Sequence, residues 1–193
     1  LWAIIEAKKP VDTLIVRGIQ REAFATIDTL RSPRSGGDVI ALNGATLYRN
    51  TIATSIQWLI RWRKGVIENF RSPENRIENS DIEDFYQNNP SIVQAVGRAT
   101  QLRGIANPSI LAFFYYVLST RNSELAERMM ETLRDPAAVS ISDPFFRLRS
   151  YFTSDKGGRH KDPIVTIALM VKAANFAFAG KRVDALTWKN QGE

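Results

Sequence analysis

Hydrophobic positions along most of this chain recur with the 3.6-residue period of an amphipathic α-helix. The segment from Ile110 to Leu118 is apolar on nearly every side, which predicts the central helix of a bundle. At the end of the chain, VDALTW is expected to pack Leu186 and Trp188 onto that bundle. The predicted helices cover residues 37–43, 45–64, 80–87, 90–103, 108–121, 123–134, 143–153 and 162–179. The predicted buried face of the last helix is Ile164, Ile167, Ala168, Val171, Ala174 and Phe178.

Capping residues mark several helix ends. Asn107, Asp143 and Asp162 each precede a proline, so a side-chain oxygen can cap a helix that begins with a residue lacking an N–H group. Ser80 and Glu83 have the spacing of a capping box. Glycines predicted to follow helix C-termini are Gly104 and Gly180.

The first 30 residues have a different pattern. VDTLIVRG predicts a β-strand at Val11 to Arg17, followed by a short helix in GIQREAFATID. Because a lone strand cannot satisfy its backbone groups, residues 1–30 are expected to be the end of an α/β unit whose beginning precedes Leu1. The loop TLRSPRSGG separates this remnant from a helical domain over 31–193. The predicted fold is therefore mainly α, a bundle of about seven or eight helices after a remnant β–α piece.

Composition limits the chemistry. The 193 residues include no cysteine, which excludes a disulfide framework, a zinc ribbon and a thiol nucleophile. The longest apolar stretch, Ser109 to Ser119, is too short for the roughly 20 residues of a membrane span. No membrane partner is expected, and the cytoplasm is the predicted location. The polar segment 66–80 is the expected mobile connector.

Charge is unevenly distributed along the chain, whose net charge is +6 and whose pI is about 9.8. Residues 1–64 carry a net +5, residues 65–145 a net −4 and residues 146–193 a net +5. Two basic ends are compatible with a polyanionic partner such as DNA. The alternative is ordinary scatter of charge over a protein surface.

Acid–base or metal chemistry has little support in the residues. The only histidine, His160, lies between Arg159 and Lys161 in a Gly-Gly loop before the last predicted helix. That position favours anion binding, although the loop lacks P-loop spacing and also fits an exposed connector. Asp81, Glu83 and Asp84 suit a solvated helix start better than a metal site, so no metal, catalytic residue or cofactor is predicted in this chain.

Two other segments combine arginine with glycine or tryptophan. In RSPRSGGD, Arg31 and Arg34 could hold a phosphate, or the segment could simply be a linker. In WLIRWRK, Trp58 and Trp62 alternate with basic residues that could bind nucleic acid. The alternative there is a core stripe of tryptophans with cations that complement the helix C-terminus. The basic residues of that segment are Arg61, Arg63 and Lys64.

A helix-turn-helix motif is also considered for DIEDFYQNNPSIVQAVGRATQLRG. It is disfavoured because its first helix is acidic and the turn lacks glycine.

Several segments together resemble phage- and plasmid-associated proteins with a ParB-like (ParB/sulfiredoxin-like) N-terminal domain. LWAIIEAKKPVDTLIVRG is similar to a helix and strand of that domain, EAFATIDT to its next helix, and RSPRSGGDVIAL to the following loop. NPSILAFFYYVLS, DPFFRLRSYF and KDPIVTIALMVKAANFAFAGKRVDALTW are similar to the helical half. The family's glycine, histidine and arginine motif would lie just before Leu1.

The resemblance implies a DNA-associated accessory protein of a mobile element, with Asp28, Arg31 and Arg34 beside the presumed site. It also implies that a nucleotide would bind through the part preceding Leu1. One alternative is a nucleotide hydrolase or nuclease with its catalytic motif in that part. The other is a protein-interaction bundle in which the acidic residues 65–145 contact a basic partner.

Overall fold

The computed structural model describes residues 17–18, 34–154 and 162–188. The chain divides into two compact units, Leu1–Arg34 and Ser35–Glu193, and the helices below belong to the second. The predicted remnant β–α piece lies outside the described residues, apart from Arg17 and Gly18. Its strand and short helix therefore stay predictions.

The second unit is mainly helical, as predicted. In the described residues it contains eight α-helices, one 3-10 turn at Pro73–Asn75 and no β-strand. Each predicted helix is present, with its ends shifted by a few residues. The helices are α1 Gly36–Leu42, α2 Arg49–Lys64, α3 Asn79–Asn88, α4 Ser91–Thr100, α5 Pro108–Ser119, α6 Ser123–Arg134, α7 Pro144–Thr153 and α8 Pro163–Phe178.

The Asn-Pro and Asp-Pro helix starts are confirmed. The Asn107 side chain accepts hydrogen bonds from the backbone of α5, the Asp143 carboxylate caps α7, and Asp162 caps α8. Asp143 is buried and also forms an ion pair with Arg128. These caps satisfy N–H groups that have no partner inside the helix.

The other predicted helix signals are only partly right. Ser80 is inside α3, which begins at Asn79 after Glu78, so the predicted capping box at Ser80 is wrong. A capping box exists instead at Ser35 and Asp38, before α1. Gly180 follows α8 with a φ of +64°, as expected for a glycine beyond a helix C-terminus.

Gly104 does not end a helix, because α4 stops at Thr100. The backbone then continues through turns in which the N–H groups of Leu102 and Ile105 bond three residues back. Gly65, by contrast, is the C-cap of α2 and has a φ of +69°.

Helix α5 is the centre of the bundle, as its apolar sequence predicts. It packs against α2, α4, α6 and α8. Phe113, at its middle, is completely buried and lies edge-on to Trp62 of α2, with ring centroids 5.8 Å apart.

The predicted buried face of α8 is wrong in part. Phe178 was assigned to that face but is 75% exposed, while Ile167 and Ala174 are buried as expected. Because α8 is apolar on several sides, its sequence does not select the side that meets α5, α6 and α7. The residues it buries are Thr166, Ile167, Leu169, Met170, Ala173, Ala174 and Ala177.

The tail after α8 packs on the bundle, as predicted. The Val183 N–H bonds to the Ser142 carbonyl at 2.8 Å, and the Lys172 ammonium donates to the Thr187 carbonyl at 2.7 Å. Leu186 and Trp188 contact the core.

The predicted connector before α3 is also attached to the core. Ile77 is buried there, and Phe70 packs against the core from the same segment. These two apolar side chains tie an otherwise polar stretch to the helices.

Candidate functional site

The WLIRWRK segment forms the last two turns of α2, and its tryptophans belong to the core. Trp58 is 5% exposed, and its ring lies 5.0 Å from that of Phe70. Trp62 packs on Phe113 of α5. Trp62 is partly buried there. The burial of Trp58 agrees with a core stripe and leaves little of its ring for stacking on nucleobases.

Arg61 is enclosed by the same aromatic side chains. Its guanidinium carbon lies 5.6 Å from the Trp58 ring centroid and 5.9 Å from that of Phe70, distances typical of cation–π contacts. Its buried Nε has no hydrogen-bond partner among the described residues. Burial lowers the pKa of Arg61 below its usual value, because the charged form loses hydration.

The other two cations of this segment also have neighbours inside the chain. The Arg63 guanidinium lies over the Phe85 ring at 4.6 Å, and the Lys64 ammonium is 3.8 Å from the Asp81 carboxylate. Both side chains remain at the surface. The nucleic-acid role of Arg61, Arg63 and Lys64 stays a prediction.

The glycines of RSPRSGGD have a packing role. A β-carbon on Gly36 would lie 2.8 Å from Cδ1 of Ile82 and 3.2 Å from Cβ of Ala53, so any side chain there would force these neighbours to shift. The Ser35 and Asp38 capping box occupies the N-terminus of this seven-residue helix with a carboxylate. Arg34 directly precedes that cap.

The remaining predicted site residues, Asp28, Arg31, Arg159, His160 and Lys161, lie outside the described residues. Their roles, and any proximity among the predicted basic segments, stay predictions.

The acidic residues at the start of α3 have partners typical of a helix surface. Asp81 faces Lys64, and Glu83 accepts a hydrogen bond from the Asn43 side chain at 2.9 Å. Within the described ranges, no three side chains of the ligand types His, Cys, Asp and Glu are grouped closely enough to hold a metal ion. None of the helices there combines the length and the apolar character needed to cross a membrane.

An open cleft of about 810 Å³ lies between the outer face of α4, the C-terminal half of α5 and Glu127 of α6. We call it the α4 cleft. The polar face of α4 forms one wall of the cleft. The side chains on it are Ser91, Gln94, Arg98 and, at the C-cap of the helix, Gln101. Its lining side chains are mainly polar or aromatic: Tyr48, Ser91, Gln94, Arg98, Thr100, Gln101, Tyr115, Tyr116, Ser119, Thr120 and Glu127.

A three-residue network crosses the cleft. The Tyr115 hydroxyl donates to Glu127 Oε1 at 2.5 Å, and Arg98 Nη2 donates to the same oxygen at 3.1 Å. Burial, then the hydrogen bond to Glu127 and its negative charge, raise the pKa of Tyr115. Tyr115 is therefore a neutral hydrogen-bond donor near neutral pH and is unsuited to act as a base.

Both ends of the cleft are held by further contacts. The Tyr116 hydroxyl donates to Asn89 Oδ1 at 2.9 Å, and Arg134 Nη2 donates to Gln101 Oε1 at 2.8 Å. Tyr48, at the N-terminus of α2, is half exposed and has a φ of +56°, a left-handed conformation that is uncommon for a bulky residue. The lining of the cleft thus includes hydrogen-bonded side chains and one exposed aromatic ring.

Sequence reasoning missed the α4 cleft because its residues come from four separate elements. One signal was present: Ser91, Gln94, Arg98 and Gln101 make a polar stripe on one face of a predicted helix. Such a stripe is also what any solvated helix face shows, and only the position of α5 and α6 turns it into the wall of a cleft.

The lining groups are suited to recognition. Tyrosine supplies a rigid ring with a polar end, while serine, threonine and glutamine supply hydrogen bonds that adapt to a ligand. No protein-family model, curated protein or solved structure matches this chain.

Proposed function

We propose that the helical unit, Ser35–Glu193, is a protein-interaction module that recognises a segment of its partner through the α4 cleft. The observation that carries this proposal is the cleft itself: an open surface of tyrosine, hydroxyl and amide groups on a rigid helical support. Such surfaces combine contact area with hydrogen bonding at low conformational cost.

The internal network of the cleft supports binding over catalysis. Glu127 already accepts hydrogen bonds from Tyr115 and Arg98, so its carboxylate is paired and oriented. A nucleophile would need an adjacent base, and Tyr115 is protonated at the pH at which it would have to act. Hydrogen-bond donors and a paired carboxylate can hold a ligand in place, but they provide no base or nucleophile for a reaction.

Selection from a random peptide display library tests the proposal. The whole chain, immobilised, is expected to enrich peptides that share a consensus over successive rounds, and the same peptides should fail to bind the empty support. A folded preparation, verified by its helical circular dichroism, that enriches nothing would contradict a protein-interaction role.

A second candidate function is the DNA association implied by the ParB-like resemblance, in a protein that serves a mobile element. The observation in its favour is the net charge of +6, which is concentrated toward the two ends of the chain. The described residues, 17–18, 34–154 and 162–188, hold only part of those ends.

Mobility shift of duplex DNA tests this second candidate. Binding should weaken steeply with salt, because each phosphate contact releases counterions. The double variant Arg63→Gln, Lys64→Gln should reduce both the affinity and the salt dependence. Undetectable binding at low salt, or an affinity that does not change with salt, would rule out DNA association of this chain.

A further inference from the structure

Asn43 and Gly44 close α1 with a turn that needs glycine. The Gly44 N–H bonds to the Ala41 carbonyl at 3.1 Å. The Ala45 N–H bonds to the Ile40 carbonyl at 3.2 Å, which completes a Schellman motif. Gly44 has a φ of +95°, a conformation that other residues rarely adopt. The turn therefore explains the glycine, but not the asparagine that precedes it.

The side chain of Asn43 attaches α1 to α3. Its amide nitrogen donates to Glu83 Oε1 at 2.9 Å and to the Val39 carbonyl at 3.0 Å. Its amide oxygen accepts a hydrogen bond from the Gln87 side chain at 3.1 Å. Because Glu83 and Gln87 both belong to α3, this single amide joins the C-terminus of α1 to the neighbouring helix.

Asn-Gly is the dipeptide in which an asparagine most readily loses its amide nitrogen, and it occurs once in this sequence. The backbone nitrogen of the glycine attacks Cγ of the asparagine, the Cγ–Nδ2 bond breaks, and ammonia leaves with the glycine N–H proton. Water then opens the resulting five-membered succinimide at either carbonyl and gives aspartate or isoaspartate. Glycine favours ring closure because no side chain obstructs the approach of its nitrogen.

The folded structure holds Asn43 away from this reaction. Its ψ of 13° turns the Gly44 nitrogen toward the backbone nitrogen of Asn43, and so away from the Asn43 side chain. The attacking N–H and the amide that it must attack are both hydrogen-bonded as well. The reaction consequently requires that the turn and the contact with Glu83 open first.

Deamidation removes the attachment that the amide provides. An aspartate at position 43 presents an oxygen to Glu83 in place of an N–H group, so a hydrogen bond is lost and two carboxylates face each other. Isoaspartate adds a carbon to the main chain before Gly44, which displaces the N–H groups that close the turn. Both products therefore hold α1 less firmly against α3 than asparagine does.

From these contacts we propose that Asn43 is a deamidation site whose reaction is controlled by the fold. It reacts only in molecules in which α1 has separated from α3, and the product then disfavours the return of α1. Because ammonia is lost, the modification accumulates with the age of the molecule. The inference does not depend on the α4 cleft, and the helix that it loosens is the first helix of the second compact unit.

Incubation of the whole chain at mildly alkaline pH, followed by peptide mass spectrometry, tests the proposal. Conversion at Asn43 should be at least about tenfold slower in native buffer than in guanidinium chloride, because only opened molecules react. In the denatured chain, Gly44→Ala should slow the conversion, since its β-carbon hinders the attacking nitrogen. Equal rates in the two solvents would overturn control by the fold, and no conversion in native buffer would overturn the site itself.

Two matched variants identify the opening that the reaction needs. Glu83→Ala removes a partner of Asn43 and should raise the rate in native buffer by about tenfold, because a hydrogen bond to a charged group is lost. Glu127→Ala loses two hydrogen bonds in the α4 cleft but none to Asn43, so the rate should not change. If both variants raise the rate equally, the reaction follows unfolding of the whole unit, and control by α1 is wrong.

Asn43→Asp reproduces one product and tests its consequence. In hydrogen exchange, the amides of α1 should exchange faster in Asn43→Asp than in Asn43→Ala, which loses the same hydrogen bonds without adding a charge. Addition of Glu83→Gln to Asn43→Asp should restore much of the protection, because the new amide can donate to the aspartate. Equal exchange in the aspartate and alanine variants would contradict the proposed effect of the carboxylate.

Discussion

The last two turns of α2 and the α4 cleft both place aromatic rings beside arginines, but they use them differently. In α2, the Trp58 and Phe70 rings surround Arg61. In the cleft, Tyr115 and Arg98 share one carboxylate oxygen of Glu127 and leave the cleft open above them. The same residue types thus stabilise the fold in one place and line an open cleft in the other.

The difference follows from what lies opposite each helix. The tryptophans of α2 pack against α5 and the connector that carries Phe70, so the chain itself covers the Trp58 ring and part of the Trp62 ring. The outer face of α4 has no such cover among the described residues, since α5 and α6 form only the sides of the cleft. Aromatic and basic composition alone therefore does not identify a binding surface.

Removal of one ring from each region should separate them most clearly. Trp58→Ala is expected to lower the free energy of unfolding by about 3–5 kcal/mol, because a large buried side chain leaves a cavity. Tyr48→Ala, at the cleft, should change it by less than about 0.5 kcal/mol. Urea denaturation followed by circular dichroism measures both. Equal losses of unfolding free energy would contradict the distinction between a buried ring in α2 and an exposed ring at the cleft.

Glycine substitutions should have opposite signs in the two regions. Gly36→Val is expected to destabilise the protein by about 2 kcal/mol, since its side chain would overlap Ile82 and Ala53. Gly97→Ala should stabilise it by about 0.5–1 kcal/mol through helix propensity. Thermal unfolding of the pair checks this. Destabilisation by Gly97→Ala would show that the α4 backbone is packed against part of the chain.

The hydroxyl of Tyr115 should make stability depend on alkaline pH. Tyr115→Phe is expected to lose about 1 kcal/mol at neutral pH, as the hydrogen bond to Glu127 disappears. Because folding raises the pKa of Tyr115, its contribution is complete below the unfolded value of 10.0 and is lost as the pH rises through the raised value. Urea titrations at about pH 8 and about pH 11 should show the gap between wild type and variant shrinking. A gap that widens with pH would contradict the raised pKa.

Loss of the charge on Arg61 should have only a small effect on stability. Arg61→Met gives up cation–π contacts but also removes a desolvated charge and a buried Nε without a partner, so the net change should stay within about 1 kcal/mol. Arg98→Met should be similarly mild in stability but should weaken binding of any selected peptide. If Arg61→Met weakens that binding as much, peptide recognition extends to α2.

Much of the helical fold could be predicted from the sequence because its signals are local. The prolines after Asn107, Asp143 and Asp162 mark helix starts through a cap that involves only neighbouring residues. The capping box at Ser35 was missed, and the one predicted at Ser80 is wrong, because the same residue types also occur inside helices. The buried face of α8 was misplaced because its apolar residues surround the helix.

The candidate site could be predicted far less well. The basic segments were proposed from composition, and Trp58 shows why composition misleads: a ring that could stack on a base is instead packed on Phe70. The α4 cleft depends on residues as distant in sequence as Tyr48 and Glu127. Gly97, which also lines the cleft, gave no sequence signal of it.

For this protein, the sequence by itself determined the helical class, the positions of the helices and the apolar centre at α5, because periodicity and capping act over a few residues. Only the tertiary structure decided which aromatic and basic groups are used inside the fold and which remain open in the α4 cleft. The physical reason is that burial and hydrogen bonding are relations between distant residues, such as Arg98 with Glu127 or Trp62 with Phe113, and these exist only once the helices have packed.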